Sequence, residues 1–330
     1  MPTHKQRAVF YGEMATLEGA GVPLMEALPL ARAHAGGGAL GEALQRVEDA
    51  IHNKGSLYDA IRREPETFTP LECALIRAGA QAGKLEEVFR GLSGWFEFRR
   101  DLERDFVMRL IYPVILIHVA ALILPFPSFF TGNGSLPAYA FAAGCILAPF
   151  YAAVLFAFKV LPALRRSNSS VAGATDGILL AVPFVRGVVI KLDMLRFATV
   201  YHMAASTGLP IYETIELCAS VCVNTHIRAR AAGLRSTAEA GLPLSVGMKQ
   251  AGLFPEMVIH MFETGERSGT TDESAGKVAD YYRTETDIAL RMLAKALSFL
   301  VYFGIVAFIG YRIVSFYVGM YSGALNGLGD

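Results

Sequence analysis

The residues best placed for phosphate chemistry in this sequence are Gly79, Gly83 and Lys84, in the segment Gly-Ala-Gln-Ala-Gly-Lys-Leu. A phosphate-binding loop needs four residues between its glycines, a hydroxyl residue after the lysine and a preceding strand. Here three residues separate the glycines, Leu85 takes the hydroxyl position, and the flanking sequence is helical. We therefore interpret the segment as a tight turn between helices, where glycine permits left-handed or closely packed backbone.

Two carboxylates, Glu263 and Glu266, form the next candidate, in the segment Glu-Thr-Gly-Glu-Arg-Ser-Gly that includes Gly265 and Gly269. Residues three apart on a helix are neighbours. Acid–base catalysis, however, requires a buried pair with perturbed pKa values, and the sequence shows no histidine or nucleophile with a plausible partner beside them. We expect a solvated or partner-facing helix end.

Histidine and cysteine spacing does not indicate a metal site. The seven histidines form neither an HxxxH nor an HExxH pattern, and the four cysteines include no CxxC pair. We interpret the cysteines as free thiols in a reducing compartment, and we predict no enzyme activity, metal or cofactor. The net charge of zero gives no electrostatic reason to expect nucleic acid binding. The cysteines are Cys73, Cys145, Cys218 and Cys222.

Three apolar stretches predict membrane-spanning helices, at 110–130, 139–161 and 296–321. Each can cross a hydrocarbon core of about 30 Å at about 1.5 Å per residue. The chain is 53% hydrophobic, above the roughly 45–50% of soluble proteins. The first two stretches form a hairpin joined by a short loop, 131–138, and a tail, 322–330, follows the third.

The positive-inside rule orients these spans. Basic residues precede the first span, follow the second and precede the third, whereas the loop and the tail contain none. We therefore predict a cytoplasmic N-terminus and a periplasmic C-terminus. The basic residues are Arg99, Arg100, Arg104, Arg109, Lys159, Arg165, Arg166, Arg291 and Lys295.

Polar residues in the apolar stretches have two interpretations each. Arg312 can extend its guanidinium to the outer membrane face, or it can contact another helix in an oligomer. His118 is expected to pack between helices rather than relay protons, since no span contains Asp or Glu. The apolar run Ile178 to Ile190 is interrupted by Pro183 and Arg186, so we interpret it as an interfacial or packing element and not as a fourth span.

An internal repeat organises the rest of the chain. The Gly21-Val-Pro23 motif recurs as Gly208-Leu-Pro210, at an offset of 187 (208 − 21). Gly79 and Gly83 correspond to Gly265 and Gly269 with an offset of 186 (265 − 79). We therefore predict two copies of one cytoplasmic domain, 1–109 and 162–295.

Helical periodicity without alternating strand patterns predicts an all-α membrane protein. One apolar face of the first domain comprises Leu40, Leu44, Val47 and Ile51, and another Leu85, Val88, Leu92 and Phe96. Thr69-Pro-Leu-Glu72 is a capping box with proline at the first helical position. We predict about six helices in each domain, the last continuing into a span.

With this repeat and topology, the chain resembles the GspF/PilC family of inner-membrane platform proteins of type II secretion and type IV pilus assembly. The resemblance rests on the order of domains and spans, on Tyr112-Pro113, on Leu195-Arg-Phe-Ala198 and above all on Glu263 to Gly269. Two departures are Ala80, where the family usually has an acidic residue, and the missing Glu-Pro before the last span.

The resemblance implies a bacterial inner-membrane platform that couples a cytoplasmic assembly ATPase to the insertion or extraction of pilins or pseudopilins. It also implies a homo-oligomer that contacts other inner-membrane assembly proteins and membrane lipid. Under this hypothesis Glu263, Glu266 and the four turn glycines mark a partner contact. A small membrane transporter or channel component is the alternative, although the spans offer few polar groups to line a path.

Overall fold

The computed structural model describes residues 3–53, 55–126, 135–160, 163–164 and 169–326. Throughout these ranges the regular secondary structure is helical, which confirms the predicted all-α class. The chain forms two compact units. One combines Met1–Asp105 with Asp176–Asp287, and the other combines Phe106–Thr175 with Ile288–Asp330.

The first segment of the first unit is built from helices with clear start signals. A capping box formed by Thr3 and Gln6 starts the first helix, and the predicted box of Thr69 and Glu72 starts the fifth, with Pro70 at its first position. The helices are α1 His4–Gly19, α2 Leu24–Ala35, α3 Ala39–His52, α4 Leu57–Arg62, α5 Pro70–Ala82 and α6 Leu85–Ile123.

The second segment contains more helices than the six predicted. In the part of 162–295 that the structure describes, seven helices precede the last one. They are α8 Ser169–Ala181, α9 Pro183–Ser206, α10 Ile211–Val221, α11 Thr225–Ala232, α12 Leu234–Glu239, α13 Leu244–Ala251 and α14 Glu256–Ser268, followed by α15 Thr271–Asn326. One extra break falls at Gly233, and glycine costs about 1 kcal/mol relative to alanine inside a helix.

Both segments of the first unit contribute to one apolar core. The predicted faces of α3 and α6 are buried in it, with Ile51 and Leu85 packed partly buried at its edge. In the first segment the Tyr11 ring stacks on Phe89 and Phe96 at centroid distances of 6.1 and 5.8 Å. In the second, Tyr201 meets the edge of Phe262 at 5.3 Å. Aromatic rings thus hold α1 against α6 and α9 against α14.

The second unit contains the apolar parts of α6 and α15 and the helix α7, Leu136–Leu155, which continues as a π-helix over Phe156–Val160. Two helices are long and apolar enough to cross a membrane by length and composition, Leu85–Ile123 and Thr271–Ser315. In the most apolar 18-residue part of Thr271–Ser315, no residue is buried. The apolar stretch of α7 is shorter in the described residues, so the count of three spans stays a prediction.

Several predicted boundaries differ from the helices. The first span was placed at 110–130, but α6 ends at Ile123 and a turn follows at Pro125, which lacks the N–H that a continuing helix needs. The loop placed at 131–138 is helical from Leu136. The start of the third span, 296, lies inside the unbroken α15. Residues 127–134, Arg165, Arg166, 327–330 and the Arg312 side chain lie outside the described residues.

Candidate functional site

The turn between α5 and α6 is built around two glycines. Gly83 ends α5 in the left-handed region at φ +68°, and its N–H donates to the Gly79 carbonyl. The Lys84 N–H donates to the same carbonyl at 2.8 Å. A Cβ on Gly79 would overlap Val88 Cγ2 and lie 3.2 Å from Val88 Cβ. The geometry is the tight helix–helix turn predicted from sequence.

The turn between α14 and α15 has the same construction. Gly269 has φ +73°, and both its N–H and that of Thr270 donate to the Gly265 carbonyl, the latter at 2.9 Å. A Cβ on Gly265 would lie 2.8 Å from Ser274 Cβ. Gly79 and Gly265 therefore permit close helix packing, whereas Gly83 and Gly269 supply the left-handed backbone of the turns. The partner contact predicted for all four stays a prediction.

The two Gly-x-Pro motifs also form equivalent turns. Gly21 and Gly208 have φ of +75° and +76°, a backbone conformation that favours glycine. Pro23 and Pro210 then act as N-caps of α2 and α10 with nearly identical φ and ψ. These residues set the direction of the following helix and leave no side chain available for chemistry.

Glu266 contacts the start of α13 rather than solvent. Its carboxylate accepts hydrogen bonds from the Leu244 N–H, from the Ser245 N–H at 3.3 Å and from the Ser245 hydroxyl at 2.6 Å. The N-cap residue of α13, Pro243, offers no side-chain cap of its own. Glu266 therefore bonds to free amides of that helix and is not simply solvated, while the alternative of a partner-facing helix end stays a prediction.

Glu263 lies on the exposed side of α14, as expected. Its carboxylate is 3.4 Å from His260 Nδ1, and Glu256 lies one turn before His260. We call Glu256, Met257, His260 and Glu263 the α14 outer face; Met257 is 52% exposed. The expected lack of a histidine beside this carboxylate is wrong, because His260 stands three residues before Glu263, a spacing that brings helix side chains together.

Side chains from the two segments of the first unit meet beside the α5–α6 turn. The Arg77 guanidinium pairs with the Glu213 carboxylate and lies 5.8 Å from the Tyr58 ring centroid. Lys84 Nζ donates to the Ser206 carbonyl at 2.9 Å. The lysine that resembles a phosphate-loop residue is therefore bonded to the second segment.

The first segment contains a buried acid that its local sequence does not reveal. Glu72 accepts from Arg7 Nη1 at 2.6 Å and from the Tyr11 hydroxyl at 2.7 Å, in addition to its capping bonds. Arg7 also lies 5.1 Å from the Phe96 ring centroid. Burial, reinforced by the Glu72 charge, raises the pKa of Tyr11 well above its usual value. The cluster joins α1 to α5. Because its charged and polar groups are bonded to one another, the cluster indicates a structural role.

The second segment has its own buried acid, Asp193. Its carboxylate accepts from the backbone N–H groups of Val223 and Asn224 at 3.0 and 2.9 Å and pairs with Arg196 at 2.5 Å. Asp176 similarly accepts from the Thr225 N–H at 2.8 Å. The two acids thereby fix the start of α11 to α8 and α9. In both cases the acid and the amides lie far apart along the chain, so the sequence pattern carried no signal for them.

The cysteines are free thiols, as predicted. Burial raises the pKa of Cys218 well above its usual value and raises the pKa of Cys222 to about 12. A thiol of such pKa stays protonated at neutral pH and is a poor nucleophile. Among the residues that the structure describes, no group of three or more His, Cys, Asp or Glu side chains is arranged to hold a metal ion.

His118 joins the two helices of the predicted membrane hairpin. Its Nδ1 lies 2.7 Å from the Val114 carbonyl and its Nε2 lies 2.7 Å from the Tyr151 hydroxyl. The carbonyl can only accept, so Nδ1 carries the proton and Nε2 accepts from Tyr151. Tyr139 adds a second link by donating to the Leu122 carbonyl at 2.6 Å. This arrangement agrees with the predicted packing role.

Known proteins match the chain along most of its length. The family model described as type II secretion system protein F matches residues 10–131 and again residues 197–319. The type IV pilus assembly protein PilC of Pseudomonas aeruginosa is 26% identical over 334 residues, covering 95% of this chain and 88% of its own.

Of two further relatives, one is named as a type IV pilus protein and the other as a type II secretion protein. The type IV pilus assembly protein TapC of Aeromonas hydrophila is 28% identical, covering 95% of this chain and 80% of its own. The type II secretion system protein F of Pseudomonas aeruginosa is 28% identical, covering 85% of this chain and 73% of its own. The chain therefore belongs to the protein F family of type II secretion systems, the GspF/PilC family, which includes the type IV pilus assembly proteins PilC and TapC.

Proposed function

We propose that this protein is an inner-membrane platform of a type IV pilus or type II secretion machine, coupling a cytoplasmic ATPase to pilin-like subunits. The proposal rests on the family model, which matches the chain twice, at residues 10–131 and 197–319. Each matched range includes a long helix, α6 or α15, that starts at a glycine turn and continues into an apolar stretch. Such a protein can be moved by a soluble partner on its cytoplasmic side and can transmit that movement to subunits within the bilayer.

The proposal includes a duplicated domain and three spans. Support for the duplication comes from helix bounds, because α5 and α14 each comprise 13 residues. The first residues of α5 and α14 differ in number by 186 (256 − 70), and those of α6 and α15 differ by the same amount (271 − 85). Support for the middle span comes from α7, whose 20 residues contain no charged side chain. The N-terminus is cytoplasmic and the C-terminus periplasmic in this proposal, because the basic residues flank the predicted inner ends.

Within this proposal the α14 outer face is the contact for a cytoplasmic assembly protein, with Glu263 at its centre. Glu263 is exposed and its carboxylate lacks the capping bonds that occupy Glu266. The exposed Met257 on the same helix adds an apolar contact. An exposed methionine beside charged groups is a common composition for a protein-binding surface.

Complementation in a host that lacks its own platform gene but keeps the rest of the machine tests this surface. Glu263→Lys should reduce pilus assembly or secretion at least about tenfold, since reversing a charge at a contact costs several kcal/mol. Glu66→Lys makes the same charge change at an exposed site of the first segment and should leave assembly intact. Unchanged assembly in Glu263→Lys at wild-type membrane levels would refute the α14 contact.

Purified protein tests whether ATP hydrolysis belongs to a separate protein. The platform alone should show no ATP hydrolysis and no ion flux in liposomes, because the family role assigns energy supply to a separate ATPase. Hydrolysis well above background in preparations free of contaminating ATPase would overturn the assignment, and specific flux would favour the transporter alternative. Reporter fusions near Gly79 and Gly265 that fall on opposite sides of the membrane would refute the shared cytoplasmic compartment.

A further inference from the structure

The junction of α8 and α9 exposes apolar side chains on the first unit. Ile178, Val182 and Phe184 lie close together in the sequence and are 64%, 43% and 71% exposed. Phe184 and Ile178 are the two most exposed large apolar side chains among the described residues of that unit. Isolated exposed apolar residues are ordinary, but a contiguous group marks an interaction surface. We call Ile178, Val182, Phe184 and Arg186 the α8–α9 tip.

The base of the tip is fixed to the core. Asp176, 1% exposed, accepts from the Thr225 N–H, and its carbonyl accepts from Asn224 Nδ2 at 3.3 Å. Leu180 packs against the core cluster and Val188 is buried. These contacts attach the inward sides of α8 and α9 to the core, and the apolar side chains of the tip lie on the outer side.

The exposed charge on the tip's own helices is positive. Between residues 169 and 190 the only acidic residue is the buried Asp176, and the only basic residue is the exposed Arg186. Arg186 lies one helical turn after Val182, since its N–H donates to the Val182 carbonyl at 2.8 Å. An apolar cluster with a cation beside it matches the boundary of an anionic bilayer, where the cation contacts phosphate and the apolar groups enter the acyl region.

We propose that the α8–α9 tip inserts into the cytoplasmic surface of the membrane and binds anionic lipid headgroups through Arg186. The proposal rests on the proposed function, because it requires α7 to span that membrane. The tip is thus a peripheral membrane contact in addition to the proposed spans.

The test uses the full chain in vesicles of phosphatidylethanolamine and phosphatidylglycerol at about three to one, an anionic surface, with part of the lipid brominated near the headgroup. Phe184→Trp places a fluorophore at the tip. Tyr212→Trp, at a site 46% exposed on α10, is the matched control, and Phe303→Trp on the apolar part of α15 reports insertion of a span. The native Trp95 is 3% exposed and gives a constant background.

Bromolipid should quench Phe184→Trp at least about twofold more than Tyr212→Trp, since interfacial apolar groups lie about 5–10 Å deep. Arg186→Glu in the Phe184→Trp chain should reduce that difference. Equal quenching of the tip and the control, with Phe303→Trp quenched, overturns the tip contact and leaves the proposed function standing. No quenching of Phe303→Trp refutes the span itself. Shielding of the tip from iodide only after a soluble partner is added assigns it to a protein and also overturns the proposal.

Discussion

Close packing of α5 on α6 at Gly79 can be tested by adding one methyl group. A Cβ there would overlap Val88 Cγ2 and lie 3.3 Å from the Lys84 carbonyl oxygen. Overpacking costs about 1–3 kcal/mol, and the overlap places Gly79→Ala near the upper end. Alanine gains about 1 kcal/mol of helix propensity in return. The net loss is therefore about 2 kcal/mol.

Gly94 on α6 provides the matched control, because a Cβ there has no atom within 4 Å. At about 2–4 °C per kcal/mol, Gly79→Ala should lower the Tm of the detergent-solubilised protein by about 4–8 °C. Gly94→Ala should raise it by about 2–4 °C, since only the propensity gain of about 1 kcal/mol applies. Thermal denaturation followed by circular dichroism measures both.

A double substitution tests the cause of the loss. Val88→Ala removes the Cγ2 atom that the new methyl group would meet, so the pair should be less destabilised than the sum of the single changes by about 1–2 kcal/mol. Strict additivity would show that Val88 is not the obstacle. If Gly79→Ala were as stable as Gly94→Ala, the close approach would be refuted and the glycine would need another explanation, such as the partner contact.

Three other predictions use the same purified protein. Gly265→Ala should lower the Tm, and Ser274→Gly should partly rescue it by removing the Cβ that would lie 2.8 Å away, measured by thermal denaturation. Glu72→Ala should destabilise by about 3–5 kcal/mol in chemical denaturation because it leaves Arg7 buried without its acid, and a loss under about 1 kcal/mol would contradict that pairing. Burial raises the pKa of Tyr201 from 10.0 to about 12, so its neutral form stabilises the fold below pH 10 and that stability falls as the pH rises to 12. Tyr201→Phe should make the alkaline decline shallower by up to about 1.4 kcal/mol per pH unit in denaturation series.

Local sequence signals predicted local structure well. Thr69 and Glu72 form the expected capping box, and Gly83 ends its helix in the left-handed region, because capping and backbone handedness depend on residues within one turn. The apolar spacing of α3 and α6 likewise predicted which faces are buried. These are the features for which the chemistry of a few neighbouring residues decides the conformation.

Long-range polar contacts were not predictable in this way. Arg7 and Glu72 are 65 residues apart, and Glu266 caps a helix that starts 22 residues earlier. Asp193 binds amides on a distant part of the chain, at Val223 and Asn224. Each pairing depends on which helices the core brings together, and no single segment encodes that choice. The bonds between Glu266 and α13 were therefore not foreseen, and the partner contact of Glu263 and Glu266 stays a prediction.

The shared core of the first unit has a consequence for biosynthesis. Its first segment ends at Asp105 and its second begins at Asp176, with the intervening chain in the other unit. About 77 residues (182 − 105) must therefore be translated after Asp105 before α9 begins, which takes about 4–15 s at about 5–20 residues per second. During that interval Gly91, which meets Met203 in the finished protein, and the ring of Phe98 under Arg283 have no covering partner. The nascent chain thus displays an incomplete apolar surface at the ribosome exit until its second segment has been translated.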